Sequence, residues 1–401
     1  MKTSRKSAKK IKQKSKILNK IIIVALLFIF ALFSYRYISS RPSEYKQIIP
    51  KKYILKDFDE LCNQIESSYM NLPQTKKYKD TDFLSMKPNF KSKIKLECGR
   101  KRDELTTEEV YNLYNDILKK LYDSNVKVAD KYTFNKILHQ ENSNQILNNL
   151  SIKRYSNLVE ELPAKTFRAY SIDNYKDALY VKVSDFDSVD IQKDAIIFKN
   201  ILQTNKKKNK IIIDLRDNDS ENLEYAINVI IKPLLKSDIN VDFKVANKTQ
   251  PLIDKKVLNN NGISFKTTED LSNVTINDNQ KNIKYITNFN LSLKKSEEQK
   301  CDIFILQNKN TKNSADFVCQ IANRTKFATT VGEATSGYGL NIVHTYKSLP
   351  NIGLIVEYPL GQGLNEDGST NEEVGTIPSI KLDDNSEMVK LLLQRVNHDH
   401  P

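Results

Sequence analysis

The sequence predicts a mixed α/β fold in three parts: an N-terminal transmembrane helix, a small helical domain and a core built on a mixed β-sheet. Three observations support this prediction. The chain opens with a basic segment and an apolar run, apolar residues then recur at helical spacing from residue 57, and strand-like runs alternate with helical patterns beyond residue 178. This last alternation is typical of parallel strands joined by crossover helices.

The first 38 residues predict a membrane anchor. Residues 1–20 contain nine basic side chains and no acid, and an apolar run follows over 21–33. These 13 residues would also suit the core of a signal peptide, but no small-x-small cleavage site follows, and with its flanks the run can span a bilayer. We therefore expect a basic cytoplasmic tail (1–20), an uncleaved single-pass anchor (21–38), a polar linker (39–56) and an extracytoplasmic body.

The positive net charge belongs mainly to this tail. Its nine basic residues leave only +5 of the formal +14 on the other 381 residues. We therefore expect the tail to contact anionic lipid headgroups, and we expect no nucleic-acid-binding face on the body of the protein.

A helical N-terminal domain is expected over 57–150. Apolar residues at 58, 61, 65 and 69 follow the helical period, and Thr106-x-x-Glu109 is a capping box that opens another helix. The four cysteines show no zinc spacing, so we expect neither a metal nor a cofactor. Cys62 and Cys98 lie in this same region, where either a disulfide or two buried free thiols would fit.

The core is expected over 160–390. Strands are predicted over 178–183 and 210–214, and helices over 194–202 and 222–235. Residues 240–300 are rich in Asn and Lys and only weakly periodic, so we expect an extended surface excursion there.

The segment 306–339 is the most informative part of the core. A buried strand ending at Leu306 leads through a polar loop to a helix that opens at 313–316, and a second apolar stretch ends in a Gly-rich turn. Small polar side chains at a helix N-terminus lie where unpaired N–H groups can hold a developing negative charge. The alternative is an ordinary capped helix without a chemical role.

Four blocks of sequence resemble the S41 family of serine peptidases, which includes the C-terminal processing, tail-specific and tricorn-like proteases. They are IIIDLR at 211–216, VGEATSG at 331–337, LPNIGL at 349–354 and DGSTNEEVGTIP at 367–378. The resemblance implies a ClpP/crotonase-like mixed-sheet core and serine-type peptidase chemistry without a cofactor.

The residues at the family's catalytic positions differ from those that the chemistry needs. The resemblance places Asn313 at the nucleophile position, and an amide cannot act as an alkoxide. Ser314 stands one residue later, so that only a one-residue deletion in the helix would bring it into place. At the positions of the base, this chain has Tyr338 where the C-terminal processing branch has Lys and Asn125 where the tricorn-like branch has His.

The oxyanion loop also departs from the family. Asn218, Asp219 and Ser220 replace the glycines that let the backbone approach a substrate carbonyl, and their carboxylate neighbours would oppose a negative charge. Glu372 keeps the acidic residue of the closing block. His344 lies in a predicted strand, and we expect it to be either a surface or a hydrogen-bonded strand histidine instead of a catalytic base.

These observations predict a membrane-anchored, extracytoplasmic S41 peptidase-like protein that is catalytically impaired and binds a peptide or protein partner in the remnant cleft. An active serine endopeptidase that uses Ser314 is the alternative. A purely structural envelope protein is a third class that the sequence leaves open.

Overall fold

The structure is a computed structural model. It describes residues 48–156, 171–175, 177–271, 283–295, 300–383 and 386–398. The predicted basic tail and transmembrane anchor lie outside these residues. Among the helices within them, none combines the length and the apolar character that a membrane span requires.

The helical domain begins earlier than the sequence predicted. Strand β1 (Ile48–Pro50) pairs antiparallel with β2 (Glu104–Thr106), and helix α1 (Lys51–Ser68) follows β1 directly. The predicted linker over 39–56 is therefore wrong over its last nine residues, because Ile49 and Ile54 are buried in the domain core. The remaining elements are α2 (Leu72–Lys79), α3 (Lys87–Gly99), α4 (Thr107–Leu118), a 3₁₀ turn (Lys119–Leu121), β3 (Lys127–Val128), α5 (Lys131–Leu138), α6 (Ser143–Ile146) and α7 (Asn149–Ser156).

Local sequence signals explain how this domain is built. Thr106 and Glu109 form the predicted capping box at the start of α4, with each side chain bonded to the other residue's backbone N–H. Cys62 and Cys98 are buried in the same apolar cluster as free thiols, and burial raises the pKa of both. Of the two alternatives for this pair, a disulfide or two buried free thiols, the structure therefore has the free thiols.

A six-stranded sheet forms the centre of the core domain. Its strand order is β15-β11-β10-β6-β5-β4, and every neighbouring pair is parallel except β4 with β5. The strands are β4 (Ser171–Asn174), β5 (Ala178–Lys182), β6 (Lys210–Asp214), β10 (Asp302–Gln307), β11 (Thr329–Gly332) and β15 (Ile380–Lys381). The predicted strands over 178–183 and 210–214 are β5 and β6.

Helices cover both faces of this sheet, as the alternation of strands and helices predicted. One face packs on α8 (Ile191–Thr204), α9 and α11 (Asn313–Thr325). Helix α9 is α-helical over Leu223–Tyr225, a π-helix over Ala226–Ile231 and α-helical again over Lys232–Leu234. The other face packs on α13 (Met388–His398).

The expected surface excursion over 240–300 is wrong. Strands β7 (Ile239–Asn247), β8 (Ile263–Thr268) and β9 (Tyr285–Leu293) form an antiparallel sheet with β14 (Gln362–Leu364), and α10 (Lys255–Asn260) precedes β8. Alternate apolar side chains such as Phe243, Phe289 and Leu291 are buried, while the Asn and Lys residues between them face outward. An antiparallel sheet with one buried face produces this two-residue period.

A three-stranded sheet connects the two domains. Strands β12 (His344–Ser348) and β13 (Ile355–Pro359) pair with each other, and β13 pairs with β3 of the helical domain. The short helix α12 (Asn371–Val374) follows β14. Because β3 begins two residues after Asn125, this sheet fixes the position of Asn125 relative to the core.

Candidate active site

The candidate site lies at the carboxyl edge of the six-stranded sheet. Strands β6 and β10 are parallel neighbours, with Asp214 opposite Leu306. Their loops therefore leave the sheet at the same edge, where ligands of such sheets commonly bind. Backbone hydrogen bonds join the loop 217–221 to the start of α11.

The loop after β6 turns its carbonyl oxygens toward α11. The carbonyls of residues 218 and 220 accept from the N–H groups of residues 312 and 314, each at 2.9 Å. The carbonyl of Asp219 accepts from Asn313 Nδ2 at 2.8 Å. An oxyanion hole requires N–H donors, whereas these three groups are acceptors.

The N-terminus of α11 does not offer its N–H groups to a ligand. The N–H groups of residues 313–316 donate to the carbonyls of Gly337, Ser220 and Lys312. The expectation of an anion-holding helix N-terminus is therefore wrong for this chain, because its own loops have taken the donors.

The side chains of the loop hold the fold together instead of facing a substrate. Asn218 is fully buried, and its Nδ2 donates to Val183 O at 3.0 Å. The Ser220 hydroxyl accepts from Phe186 N at 2.8 Å. The Asp219 side chain is exposed, so the expected opposition to a negative charge comes from backbone carbonyls and not from carboxylates at the site.

Asn313 and Asn125 meet directly. Asn125 Nδ2 donates to Asn313 Oδ1 at 2.9 Å, and both residues are buried. Asn313 also has a φ of +54°, a left-handed conformation that Asn adopts more readily than other non-glycine residues. The two positions that the family resemblance gave to the nucleophile and the base are thus adjacent, and an amide pair joins them.

Ser314 has no base beside it. The residue is 7% exposed, and its N–H donates to the carbonyl of Ser220. Within the described part of the chain, its hydroxyl makes no hydrogen bond with His, Lys or Glu. Helix α11 runs without interruption over Asn313–Thr325, so Ser314 follows Asn313 and does not occupy its position.

Tyr338 and Lys312 fill the other side of the site. Lys312 Nζ lies 4.3 Å from the centre of the Tyr338 ring, donates to the hydroxyl oxygen of Ser124 at 2.7 Å and lies 3.8 Å from Asp123 Oδ1. Burial and the charge of Asp123 raise the pKa of Tyr338, so its phenol stays protonated at neutral pH. Sequence reasoning missed Lys312, although its place directly before Asn313 was a usable signal.

Glu372 holds the block 367–378 against strand β14. Its two carboxyl oxygens accept from Gly363 N at 2.9 and 3.0 Å. Burial raises the pKa of this carboxyl to about 8. Glu372 therefore joins α12 to β14, and neither oxygen bonds to Asn313 or Ser314 in the described chain.

Asp316 is a second buried acid that sequence reasoning did not single out. It accepts from the hydroxyls of Thr335 and Thr376 and from Gly339 N. These bonds tie the VGEATSG turn and the GTIP segment to the first turn of α11. Gly337 in this turn has a φ of +79°, and a side chain there would collide with the carbonyl of Asn371.

Of the two environments expected for His344, the structure has the hydrogen-bonded strand residue. It lies in β12, and its Nδ1 is 2.5 Å from Glu357 Oε1. The structure does not bring it into hydrogen-bond contact with Asn313, Asn125 or Ser314.

Comparisons with known proteins concern the family and the fold of the chain. The profile of peptidase family S41 matches residues 177–382, just over half of the chain. Mature CPAF has a TM-score of 0.51 at 12% identity, covering 88% of this chain and 99% of its own. A CPAF mutant gives a TM-score of 0.53 at 12% identity over 86% and 96%, and a lipoprotein from Streptococcus agalactiae gives 0.47 at 14% over 86% and 96%. At such identities the likeness concerns the fold alone, and no curated protein sequence matches the chain.

Proposed function

We propose that this chain, which belongs to peptidase family S41, is a catalytically impaired member whose remnant cleft binds a peptide or protein partner. The hydrogen bond between Asn125 and Asn313 is the observation that carries this proposal. Acyl transfer needs a nucleophile whose proton passes to a base. Two carboxamides supply neither the nucleophile nor the base.

The loop at 218–220 supports the same conclusion independently. Three carbonyl oxygens face the place where a tetrahedral intermediate would need N–H donors. Loss of a triad member costs on the order of 10⁴-fold in rate, and loss of one oxyanion donor costs about 10²–10³-fold. Although these losses are not additive, any one of them would leave turnover close to background.

The cleft itself persists, which favours binding over a purely structural role. A cavity of about 360 Å³ lies beside Tyr338, and Tyr69, Asn71, Lys312 and Glu372 are among the residues that line it. Amide, phenol and ammonium groups of this kind can bond to the backbone and the carboxylates of a peptide. We therefore propose that the partner presents an extended or terminal peptide segment to this cavity.

The test of impaired catalysis uses the purified full-length chain. We expect no cleavage of unstructured fluorogenic peptides and no labelling by fluorophosphonates. The Ser314→Ala variant is the matched control, since the proposal expects it to behave as the wild type does. Peptide cleavage that Ser314→Ala abolishes would replace this proposal with the alternative, an active endopeptidase that uses Ser314.

The test of binding starts from peptides selected on the full-length chain from a random-peptide display library. We expect Lys312→Gln to weaken the selected peptides about tenfold or more, since it removes a charged cavity group with little change in size. Lys120→Gln is the control, because Lys120 is an exposed lysine of the neighbouring 3₁₀ turn that does not line the cavity. Equal affinities for the two variants would contradict the cleft as the binding site.

We propose further that residues 21–38 anchor the protein in a membrane with its body extracytoplasmic. The support is the sequence pattern of nine basic residues followed by an apolar run. N-terminal sequencing of the membrane fraction tests this proposal, with residues 1–40 expected to be retained. A mature N-terminus between residues 35 and 45 would contradict it.

A further inference from the structure

A cluster of charged side chains lies beside the cleft and outside its catalytic positions. It consists of Glu221, which follows the oxyanion-position loop, His344 in β12 and Glu357 in β13. One ligand atom from each of the three lies within 4.8 Å of the other two. The cluster opens into a cavity of about 430 Å³ that Lys127 and Tyr346 also line.

One oxygen of the buried Glu357 carboxylate lacks a well-formed hydrogen bond. The residue is 3% exposed, and its Oε1 bonds to His344. Its Oε2 is buried and has no hydrogen bond of good geometry, since Lys127 Nζ is 3.9 Å away and the Tyr346 hydroxyl is the other polar group that interacts with this carboxylate. A buried carboxylate oxygen without a hydrogen-bond partner is energetically unfavourable, so a ligand at this oxygen would be favoured.

The charges of the cluster suit a divalent cation. Lys127 Nζ lies 2.9 Å from Glu221 Oε2 and 3.9 Å from Glu357 Oε2, while Glu357 Oε1 lies 2.5 Å from His344 Nδ1. When His344 binds as a neutral imidazole, the charges of the two carboxylates balance that of one divalent ion. The Lys127 side chain is 36% exposed, so it can swing into solvent when a cation enters.

We infer that Glu221, His344 and Glu357 form a binding site for a divalent transition-metal ion of the zinc type. Imidazole together with carboxylate oxygens suits Zn²⁺ better than Mg²⁺ or Ca²⁺, which prefer oxygen ligands alone. Bond lengths of about 2.0–2.2 Å require the three ligand atoms to close by roughly an ångström, and water would complete the tetrahedral coordination. Binding displaces the Lys127 ammonium and releases any proton that the ligating nitrogen of His344 holds.

The metal ion would hold in place the loop that lies next to the candidate active site. Glu221 directly follows Ser220, whose carbonyl accepts from Ser314 N. A cation that joins Glu221 to β12 and β13 therefore fixes the loop that closes the start of α11. This site is independent of the proposed peptide binding, and its test needs no peptide.

The experiment titrates the full-length chain, after removal of metal with EDTA, with Zn²⁺ alone in competition with a chromophoric chelator. We expect one equivalent to bind with micromolar affinity or tighter, and Mg²⁺ and Ca²⁺ not to compete. His344→Ala and Glu357→Gln should each weaken binding at least about tenfold. Lys127→Met should strengthen it, since the competing ammonium is gone.

Two further variants keep the test decisive. His139→Ala is the matched control, because His139 at the end of α5 is exposed and outside the cluster, and its affinity should equal that of the wild type. Glu221→Gln changes an exposed ligand and should weaken binding even if the buried variants fail to fold. Absence of stoichiometric binding, or equal losses in the His139 and His344 variants, would overturn the inference.

Discussion

Glu372 offers a direct test of how the closing block is held. Its carboxyl is partly buried, and burial raises its pKa from 4.5 to about 8 while Gly363 N donates to both oxygens. The folded protein therefore holds a proton at Glu372 over a range of pH in which the unfolded chain has lost it. Stability from this group is complete below about pH 4.5 and is lost as the pH rises through about 8.

The magnitude follows from the shift. At about 1.4 kcal/mol per pKa unit, a rise from 4.5 to about 8 would correspond to roughly 4–5 kcal/mol as an upper limit. Because Glu372 is only partly buried, water can reach the ionised form, and we expect about half of this value, roughly 2 kcal/mol. Glu372→Gln keeps one acceptor for Gly363 N and removes the titration.

The assay is urea unfolding of the full-length chain at pH 5.5 and pH 8.5. The wild type should lose about 2 kcal/mol more between these pH values than Glu372→Gln does. Other titrating groups, such as Asp316 with its raised pKa, are common to both proteins and cancel. Glu373→Gln is the control, since Glu373 is the exposed neighbour. If the wild type and Glu372→Gln lose the same free energy, the carboxyl is not held protonated and the reasoning is wrong.

Three further predictions concern single contacts and use the same unfolding assay. Asn125→Ala and Asn313→Ala should each cost about 1–3 kcal/mol, and the double variant should cost less than their sum by about 1 kcal/mol, because one hydrogen bond joins them; simple additivity would refute the pairing. Asp316→Asn should cost about 1–3 kcal/mol, since an amide N–H₂ would face the N–H of Gly339. An unchanged midpoint of urea unfolding would show that the hydrogen bonds of Asp316 do not stabilise the fold. Thr106→Ala should cost about 1 kcal/mol through the lost N-cap of α4, with Thr81→Ala, at a half-buried threonine outside the helices, as the comparison.

The elements that sequence reasoning predicted well carry strong local signals. Strands β6 and β10 are continuous apolar runs because both of their faces are buried, and the start of α4 is specified by a capping box within four residues. The sheet of β7, β8 and β9 was missed because its polar face, rich in Asn and Lys, hides the two-residue period. Its pairing partners are also distant in sequence, so that no local pattern reveals them.

The candidate site, too, could be predicted from the sequence only in part. The residues at the family positions could be read from the sequence, and the structure brings Asn125 and Asn313 together across 188 positions of the chain. The direction of the backbone in the loop 218–220 could not be read, because it depends on bonds to Val183, Phe186 and α11. Sequence reasoning also assigned the opposition to negative charge to carboxylates, whereas the structure assigns it to carbonyl groups.

The changes at the site are physically coupled, which explains why they occur together. A serine at position 313 would leave Asp219 O without the amide donor that now satisfies it, and a histidine at 125 would lose the short amide contact with residue 313. An asparagine at the nucleophile position therefore stabilises the loop 218–220 with its carbonyl oxygens directed toward α11. We therefore expect that the double variant Asn125→His with Asn313→Ser still fails to cleave fluorogenic peptides, because the loop supplies no oxyanion donors. Restored cleavage by this variant would show that the loop can reverse its peptide groups, and that the loss of chemistry resides in the two side chains alone.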